Sequence, residues 1–387
     1  MTGPANTGPA NTGPANTGPT ERQVPAAGRA DLVGSLLRPA ELLAARARFQ
    51  AGEIGAEDLR AAEDTAIAAS LGKLRDIGYA VVTDGEMRRD AWLTGVSQAV
   101  HGFAADYPVS ELRQADGSTV RVEWHTKPVV ARLRKDGRFT ERELAFLRAN
   151  AGGPLAKITM PSPAYLARAC FKEGGGYDSQ EELLADFTEI IRSEAAALRA
   201  DGAGYVQLDE GFVLLAIRSS WDALSESGAD MRDRLRRDIE AENACHDELA
   251  GAAVRAIHIC LGNRTSFNAT LGGYDRLAEQ LFSELHADRF LLEYDSERSG
   301  DFSPLRFVPE GKTAVLGLVT TKDARLEKPD DLLRRIDEAA RYCPLERLAL
   351  SPQCGFYHGA DDATMTLDDQ WRKLELIVDV AAKAWAQ

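Results

Sequence analysis

The sequence predicts an α/β fold, a (β/α)8 TIM barrel with a β-hairpin inserted after its second βα unit. Three observations predict it. Short apolar runs alternate with longer stretches of helical periodicity, the pattern of βα units on a parallel sheet. The apolar runs number eight, the count that closes a parallel barrel. Nearly every run ends in polar or small residues, and the sites of such barrels gather at the C-terminal strand ends. A doubly wound open sheet is the competing fold, and the repeated polar strand ends favour the barrel.

The chain opens on a near-perfect TGPAN repeat over residues 1–19, with glycine and proline in each unit. Such a stretch cannot bury apolar surface. Residues 1–29 are therefore expected to be a disordered tail, and 30–387 a single barrel domain. DLVGS (31–35) is the first strand, followed by the helix AELLAARARFQ (40–50). The helix LRAAEDTAIAASLGKLRDIG (59–78) delivers the second strand, AVVTDGE (80–86). Segment 101–150 then interrupts the alternation. Within it, ADGSTVRVEWHTKPVVARLR reads as two strands around an Asp-Gly turn, the inserted hairpin. The insert is locally basic (Arg121, Lys127, Arg132, Arg134, Lys135, Arg138), which suits either a solvated hairpin or a lid that attracts an anionic substrate.

KITMPSP (157–163) resumes the barrel as the third strand. The helix EELLADFTEIIRSEAAALRADG (181–202) leads to YVQLDE (205–210), and RLRRDIEAENACHDELAGAAVR (234–255) leads to AIHICLGN (256–263). FLLEYD (290–295) and TAVLGLVTT (313–321) follow, then the helix PDDLLRRIDEAARYC (329–343) and the eighth strand, LALSPQC (348–354).

Formal net charge is −14 with a pI near 5.1. That balance argues against nucleic acid, whose phosphates demand a basic face. No apolar stretch reaches the roughly 18 residues of a membrane helix, and the N-terminus lacks a signal-peptide pattern. Five cysteines are an odd number, too sparse for a disulfide framework in a chain of this length. Free thiols in a reducing cytoplasm fit this usage.

Four residues at strand ends stand out: His258 and Cys260 in AIHICLGN, Glu293 in FLLEYD, and Cys354 in LALSPQC. Residues two apart on a strand point to the same side, so His258 and Cys260 aim at one place. A barrel brings the ends of later strands around the same axis. One imidazole, two thiols and a carboxylate form a borderline-soft donor set suited to zinc. The bland alternative is a satisfied histidine among ordinary buried cysteines, and it weakens as all four recur in matching strand-end contexts.

Cys170, Cys245 and Cys343 lie in helical or loop patterns without partner spacing and read as structural. His246 and His286 read as helix-borne surface groups. His101, His125 and His358 lie near loops, where a substrate role is open. EGGGYDS (173–179) lacks the Lys-Ser/Thr continuation of a phosphate loop and reads as a mobile loop near the barrel mouth.

Taken together, DLVGSLLRP, VVTDGEMRRD, VQLDE, HICLGN with a following GGY, FLLEYDSERSG and LSPQCGF resemble the cobalamin-independent methionine synthases, in their C-terminal catalytic barrel. The likeness runs from about Asp31 to Cys354 and is nearest the short, single-barrel bacterial members. Related epoxide:thiol transferases use the same zinc chemistry on another electrophile. The resemblance implies that His258, Cys260, Glu293 and Cys354 hold zinc. It implies that Gly34 and Ser35 bind the carboxylate of an amino-acid substrate, and that Glu86 and Asp209 bind its ammonium. Exposed N–H and hydroxyl donors suit a carboxylate, and paired acids suit an ammonium. Read without the resemblance, Glu86 and Asp209 could form structural salt bridges to a barrel arginine, and Ser35 could cap the following helix.

Two departures from the family pattern stand out. Longer members carry a second, N-terminal barrel that helps hold the folate, whereas about 30 residues precede the catalytic unit here. The family's histidine proton donor aligns with Lys322, which can protonate a leaving group or bind an anion. The implied activity is zinc-dependent methyl or alkyl transfer to a small thiol, methylation of homocysteine to methionine first among the possibilities. The partners are then that thiol and a methyl donor, methyltetrahydrofolate or another carrier. The alternatives are a thiol alkyltransferase acting on an electrophile such as an epoxide, and a non-catalytic zinc-held barrel that binds an amino acid or thiol. A metal-free decarboxylase of the porphyrinogen type is opposed by the His-x-Cys pair and Cys354.

Overall fold

The computed structural model describes residues 26–386, apart from 91–92, 108, 114–118, 124–125, 211–227, 262–272, 276 and 358–363. The TGPAN repeat, His125 and His358 therefore lie outside the described residues. Ala26–Arg29 forms a short 3-10 turn.

The chain first lays helices α1 (Ala40–Gln50) and α2 (Ala56–Ile77) against the barrel, then enters β1 (Val81–Val82). The insert follows: α3 (Thr94–Ala99), strands β2 (Val100–Phe103), β3 (Val109–Arg113), β4 (Thr119–Glu123) and β5 (Val129–Lys135), then α4 (Glu141–Asn150). β6 (Leu155–Pro161), α5 (Pro163–Cys170), α6 (Gln180–Ala200), β7 (Tyr205–Glu210), α7 (Gly228–Glu248) and β8 (Val254–Ile259) resume the alternation. It closes with α8 (Ala278–Glu284), β9 (Arg289–Glu293), β10 (Thr313–Val319), α9 (Pro329–Ala339), β11 (Leu348–Pro352) and α10 (Leu367–Ala384).

One parallel sheet runs β1-β6-β7-β8-β9-β10-β11. The expected first strand is reduced to a single parallel bridge, Ala30 to Leu350. The reason is local: Asp31 Oδ1 accepts the Leu32 N–H at 2.8 Å, taking a donor that a ladder would have used. The segment still occupies the eighth position. Asp31 N–H donates to Leu350 O at 2.9 Å on one side. Leu36 N–H donates to Gly85 O at 3.0 Å, beyond β1, on the other. Val33, Val81, Leu155, Tyr205, Val254, Ala256, Leu291, Val315 and Ala349 pack as one apolar cluster. That segment and each of the seven strands contribute to it, which is the filled interior of a closed barrel.

Near the N-terminal strand ends lies a buried polar knot. Lys157 Nζ stands 3.1 Å from Asp31 Oδ1, and Arg289 stands 3.1 Å from Asp31 Oδ2. The Tyr205 hydroxyl donates to Asp31 Oδ2 at 2.7 Å. Burial works against ionisation, yet the two cations hold the Asp31 carboxyl below its usual range.

The insert is more elaborate than one hairpin. β3 and β4 form an antiparallel pair, as expected, and β2 with β5 adds a second; the Asp-Gly pair between β3 and β4 lies outside the described residues. Its described basic residues are engaged. Lys135 and Arg138 each reach Glu194 of α6 at 2.8 Å, Arg138 also meets Asp201 at 2.9 Å, and Arg132 pairs with Glu182. Arg134 pairs with Asp136 at 2.8 Å, and Lys127 donates to Ala105 O at 2.6 Å. Arg132, Lys135 and Arg138 thus dock the insert on α6 and its end, while Arg134 and Lys127 are engaged within the insert, so these five described cations are already partnered.

The glycine loop belongs to the same seam. A Cβ on Gly175 would stand 2.2 Å from Val129 O, so only glycine allows this approach to β5. The Tyr177 hydroxyl accepts the Leu133 N–H at 2.8 Å. The expected mobile loop is thus a packed contact. His246 also departs from expectation: it is fully buried on α7, with Nε2 3.3 Å from Ala256 O. His286 is exposed, as expected, but lies just past α8 with Nδ1 2.7 Å from Asp247. Cys170, Cys245 and Cys343 are buried free thiols. Among the described residues, no helix is long and apolar enough to cross a membrane.

Candidate metal centre

The four strand-end residues converge. Donor atoms of His258, Cys260, Glu293 and Cys354 all lie within 4.8 Å of one another, and the two Sγ atoms are 3.8 Å apart. His258 is the penultimate residue of β8, beside β9, with Nδ1 3.2 Å from Leu291 O. A contact on Nδ1 fixes the ring and leaves Nε2 for a ligand. Nε2 is a buried nitrogen without a hydrogen-bond partner. Cys260 extends the line of β8 by donating its N–H to Glu210 O at 2.9 Å. Glu293, fully buried at the end of β9, accepts the Leu261 N–H on Oε1 at 2.6 Å.

Tyr274 fastens the two strand ends together, a role its position in the GGY marker does not reveal. Its hydroxyl accepts the Glu293 N–H at 2.9 Å and lies 3.3 Å from Ile259 O. Cys354 follows β11, where Gln353 N–H donates to Val319 O at 2.8 Å. The Gln353 Oε1 takes the Thr321 N–H at 2.7 Å, which fixes the turn bearing the thiol.

The electrostatics are those of titratable groups crowded together in a buried site. Burial opposes the His258 imidazolium, yet Cys260, Asp209 and Glu293 carry its pKa up to about 9. The neighbouring Cys354 and burial push the Cys260 thiol up as well. Thiolates and a carboxylate this close repel one another, which favours the protonated thiols; a divalent ion at their centre would remove that penalty. Nitrogen, sulfur and oxygen donors in this set fit a borderline-soft divalent metal.

A second cluster abuts the first. Asp209 on β7 is the register partner of His258 on β8. Burial, aided by the Glu86 carboxylate, pushes Asp209 up to about 7, while His258 pulls the other way. Gln207 Nε2 donates to Asp209 at 2.6 Å. Glu86 has φ 55°, the one positive φ at a non-glycine among the described residues. Such a conformation persists only where its surroundings fix it. Here Asp84 Oδ1 accepts the Glu86 N–H at 2.8 Å, and Arg38 donates to Glu86 O at 2.6 Å. Arg89 stands 3.8 Å from the Glu86 carboxylate, a loose version of the arginine pairing considered from sequence.

Gly34 runs directly beneath that carboxylate, since a Cβ there would lie 2.4 Å from Glu86 Oε1. Ser35 Oγ accepts the Tyr357 N–H at 3.2 Å and lies 3.3 Å from Tyr357 O. It does not cap α1, whose N-cap is Pro39. Lys322, past the end of β10, pairs with Asp295 Oδ2 at 2.6 Å. His101 is exposed on β2, 3.0 Å from Asp136, with its ring taken up by the insert.

The chain is similar to known proteins along most of its length. Residues 30–383 match the family model described as cobalamin-independent synthase, catalytic domain. A Bacillus subtilis (strain 168) relative, the uncharacterized protein YxjH, is 37% identical over 383 residues, covering 95% of this chain and 97% of its own. A solved structure of a putative vitamin-B12 independent methionine synthase from Listeria monocytogenes aligns with TM-score 0.68 at 27% identity, covering 92% of this chain and 98% of that one. A B12-independent methionine synthase from Shewanella sp. W3-18-1, in complex with selenomethionine, aligns with TM-score 0.68 at 19% identity over 86% of this chain and 89% of its own.

Proposed function

This chain belongs to the cobalamin-independent synthase catalytic-domain family, and from that premise we propose that it is a zinc-dependent S-methyltransferase that converts homocysteine to methionine. The observation that carries the proposal is the junction of two clusters. Four thiol-, imidazole- and carboxylate-bearing residues at three strand ends meet, and Asp209, which pairs with Glu86, adjoins them through its register partner His258. A substrate with a thiol at one end and an ammonium at the other matches that junction. The Shewanella protein's selenomethionine, the selenium analogue of the product, supports the same substrate class.

His258, Cys260, Glu293 and Cys354 would hold the zinc. When bound, zinc lowers the pKa of a thiol placed on it and supplies a thiolate near neutral pH. Glu86 and Asp209 receive the substrate ammonium, which relieves the repulsion between them. Gly34 and Ser35 offer backbone and hydroxyl donors to the substrate carboxylate. Anchored at both charged groups, the thiol is held in one orientation for in-line attack. The sulfur–methyl bond forms as the donor's bond to that methyl breaks, and the donor leaves with a proton. Lys322 would supply that proton once it leaves Asp295.

Methyltetrahydrofolate is the first donor to test. Lys322 in place of the family's histidine favours one second reading, transfer from a different electrophile such as an epoxide. Purified Cys354→Ser protein tests the core of the proposal. It should lose most bound zinc and methionine formation together, with methyltetrahydrofolate or a methylated corrinoid as donor. Full activity with no metal overturns it.

A further inference from the structure

Glu86 is steered from outside the barrel. Its Oε1 accepts the Thr159 hydroxyl at 2.9 Å. Arg89 grips the same threonine twice, through Thr159 Oγ1 at 3.2 Å and Thr159 O at 2.7 Å. Arg89 is gripped in turn by Glu143, with Nε to Oε1 at 2.9 Å and Nη2 to Oε2 at 2.7 Å. All four side chains are at least nine-tenths buried. Glu143 sits on α4, in the insert between β1 and β6.

We propose that Glu143 and Arg89 are positioning residues that hold the Glu86 carboxylate, through Thr159, at the angle that receives the substrate ammonium. The geometry supports this over a purely structural salt bridge. A two-pronged ion pair fixes the guanidinium plane as well as its distance. That plane directs one prong at Thr159, whose hydroxyl has a single proton to donate and gives it to Glu86. Glu86 needs such support because its backbone is in the left-handed region. The insert thereby sets selectivity for an amine-bearing thiol without touching it. The inference rests on the reading of Glu86 as an ammonium ligand.

The test compares equilibrium binding of L-homocysteine and of 4-mercaptobutanoate, which lacks the amine, to zinc-loaded protein by calorimetry. The variants are Glu143→Gln and Glu86→Gln. Glu143→Gln should weaken homocysteine about tenfold, the size of a misaligned charge-assisted contact, and leave 4-mercaptobutanoate unchanged. Equal weakening of both ligands, or of neither, overturns the positioning role. If Glu86→Gln also fails to separate the two ligands, the ammonium reading itself is wrong. If only Glu143→Gln fails, the positioning claim alone falls. Should Glu143→Gln lose zinc or melt early, Thr159→Val cuts the same chain at its inner link and is held to the same outcomes.

Discussion

Gly34 lacks a side chain where Glu86 fills the space, and this single contact has a measurable consequence. In Gly34→Ala the new Cβ would stand 2.4 Å from Glu86 Oε1, so the carboxylate must swing away from its Thr159 partner. Zinc content should stay intact while the KM for homocysteine rises about tenfold, the cost of a displaced charge-assisted contact. An unchanged KM removes Glu86 from substrate binding. His246 makes a different prediction. Burial pushes its pKa down to about 4, so the folded protein keeps it neutral. The unfolded chain protonates it near pH 6.5, so stability is complete above that pH and falls as pH drops towards 4. His246→Leu should lessen the loss of urea stability between pH 7.5 and pH 5 by about 2 kcal/mol. The same acid sensitivity in the variant places its cause elsewhere.

Strand ends, more than helices, decide what this molecule can do, and they were the most legible elements in the sequence. His258 and Cys260 two apart at the close of one run, with Glu293 and Cys354 closing two others, make the convergence of the four side chains readable because strand periodicity is local. Contacts made across the fold were less readable. The bridge by which Tyr274 ties β8 to β9 depends on the parallel register, and the Glu143–Arg89 pair depends on where α4 lands. Helix α10 begins with Thr366 and Asp369 exchanging N–H bonds at 3.2 and 3.0 Å, a capping signature legible in the local sequence. The first strand was overestimated because an apolar run does not show that Asp31 will claim its neighbour's N–H. The basic insert misled because its partners, Glu182, Glu194 and Asp201, lie far along the chain on and just past α6. The seam between β5 and the glycine loop can be tested alone. Gly175→Val should speed limited proteolysis in residues 101–140 several-fold while zinc content is retained. Unaltered cleavage shows that the insert is held without that contact.

At the scale of the whole molecule, the barrel separates stability from chemistry along its axis. One end holds the knot of Asp31, Lys157, Tyr205 and Arg289; the other holds the candidate metal donors and the two acids. Asp31→Asn leaves two buried cations without their anion, a change that costs about 3–5 kcal/mol. Its urea midpoint should fall accordingly, with the homocysteine KM of the folded protein unchanged. A midpoint equal to the parent's dismisses the knot as the closure of the barrel. The central claim concerns the opposite end, and zinc K-edge X-ray absorption tests it most directly. The purified protein should show one zinc with two sulfur neighbours beside nitrogen and oxygen, and homocysteine should raise the sulfur count to three. A zinc shell without sulfur, or one unaltered when homocysteine is bound, would contradict the account.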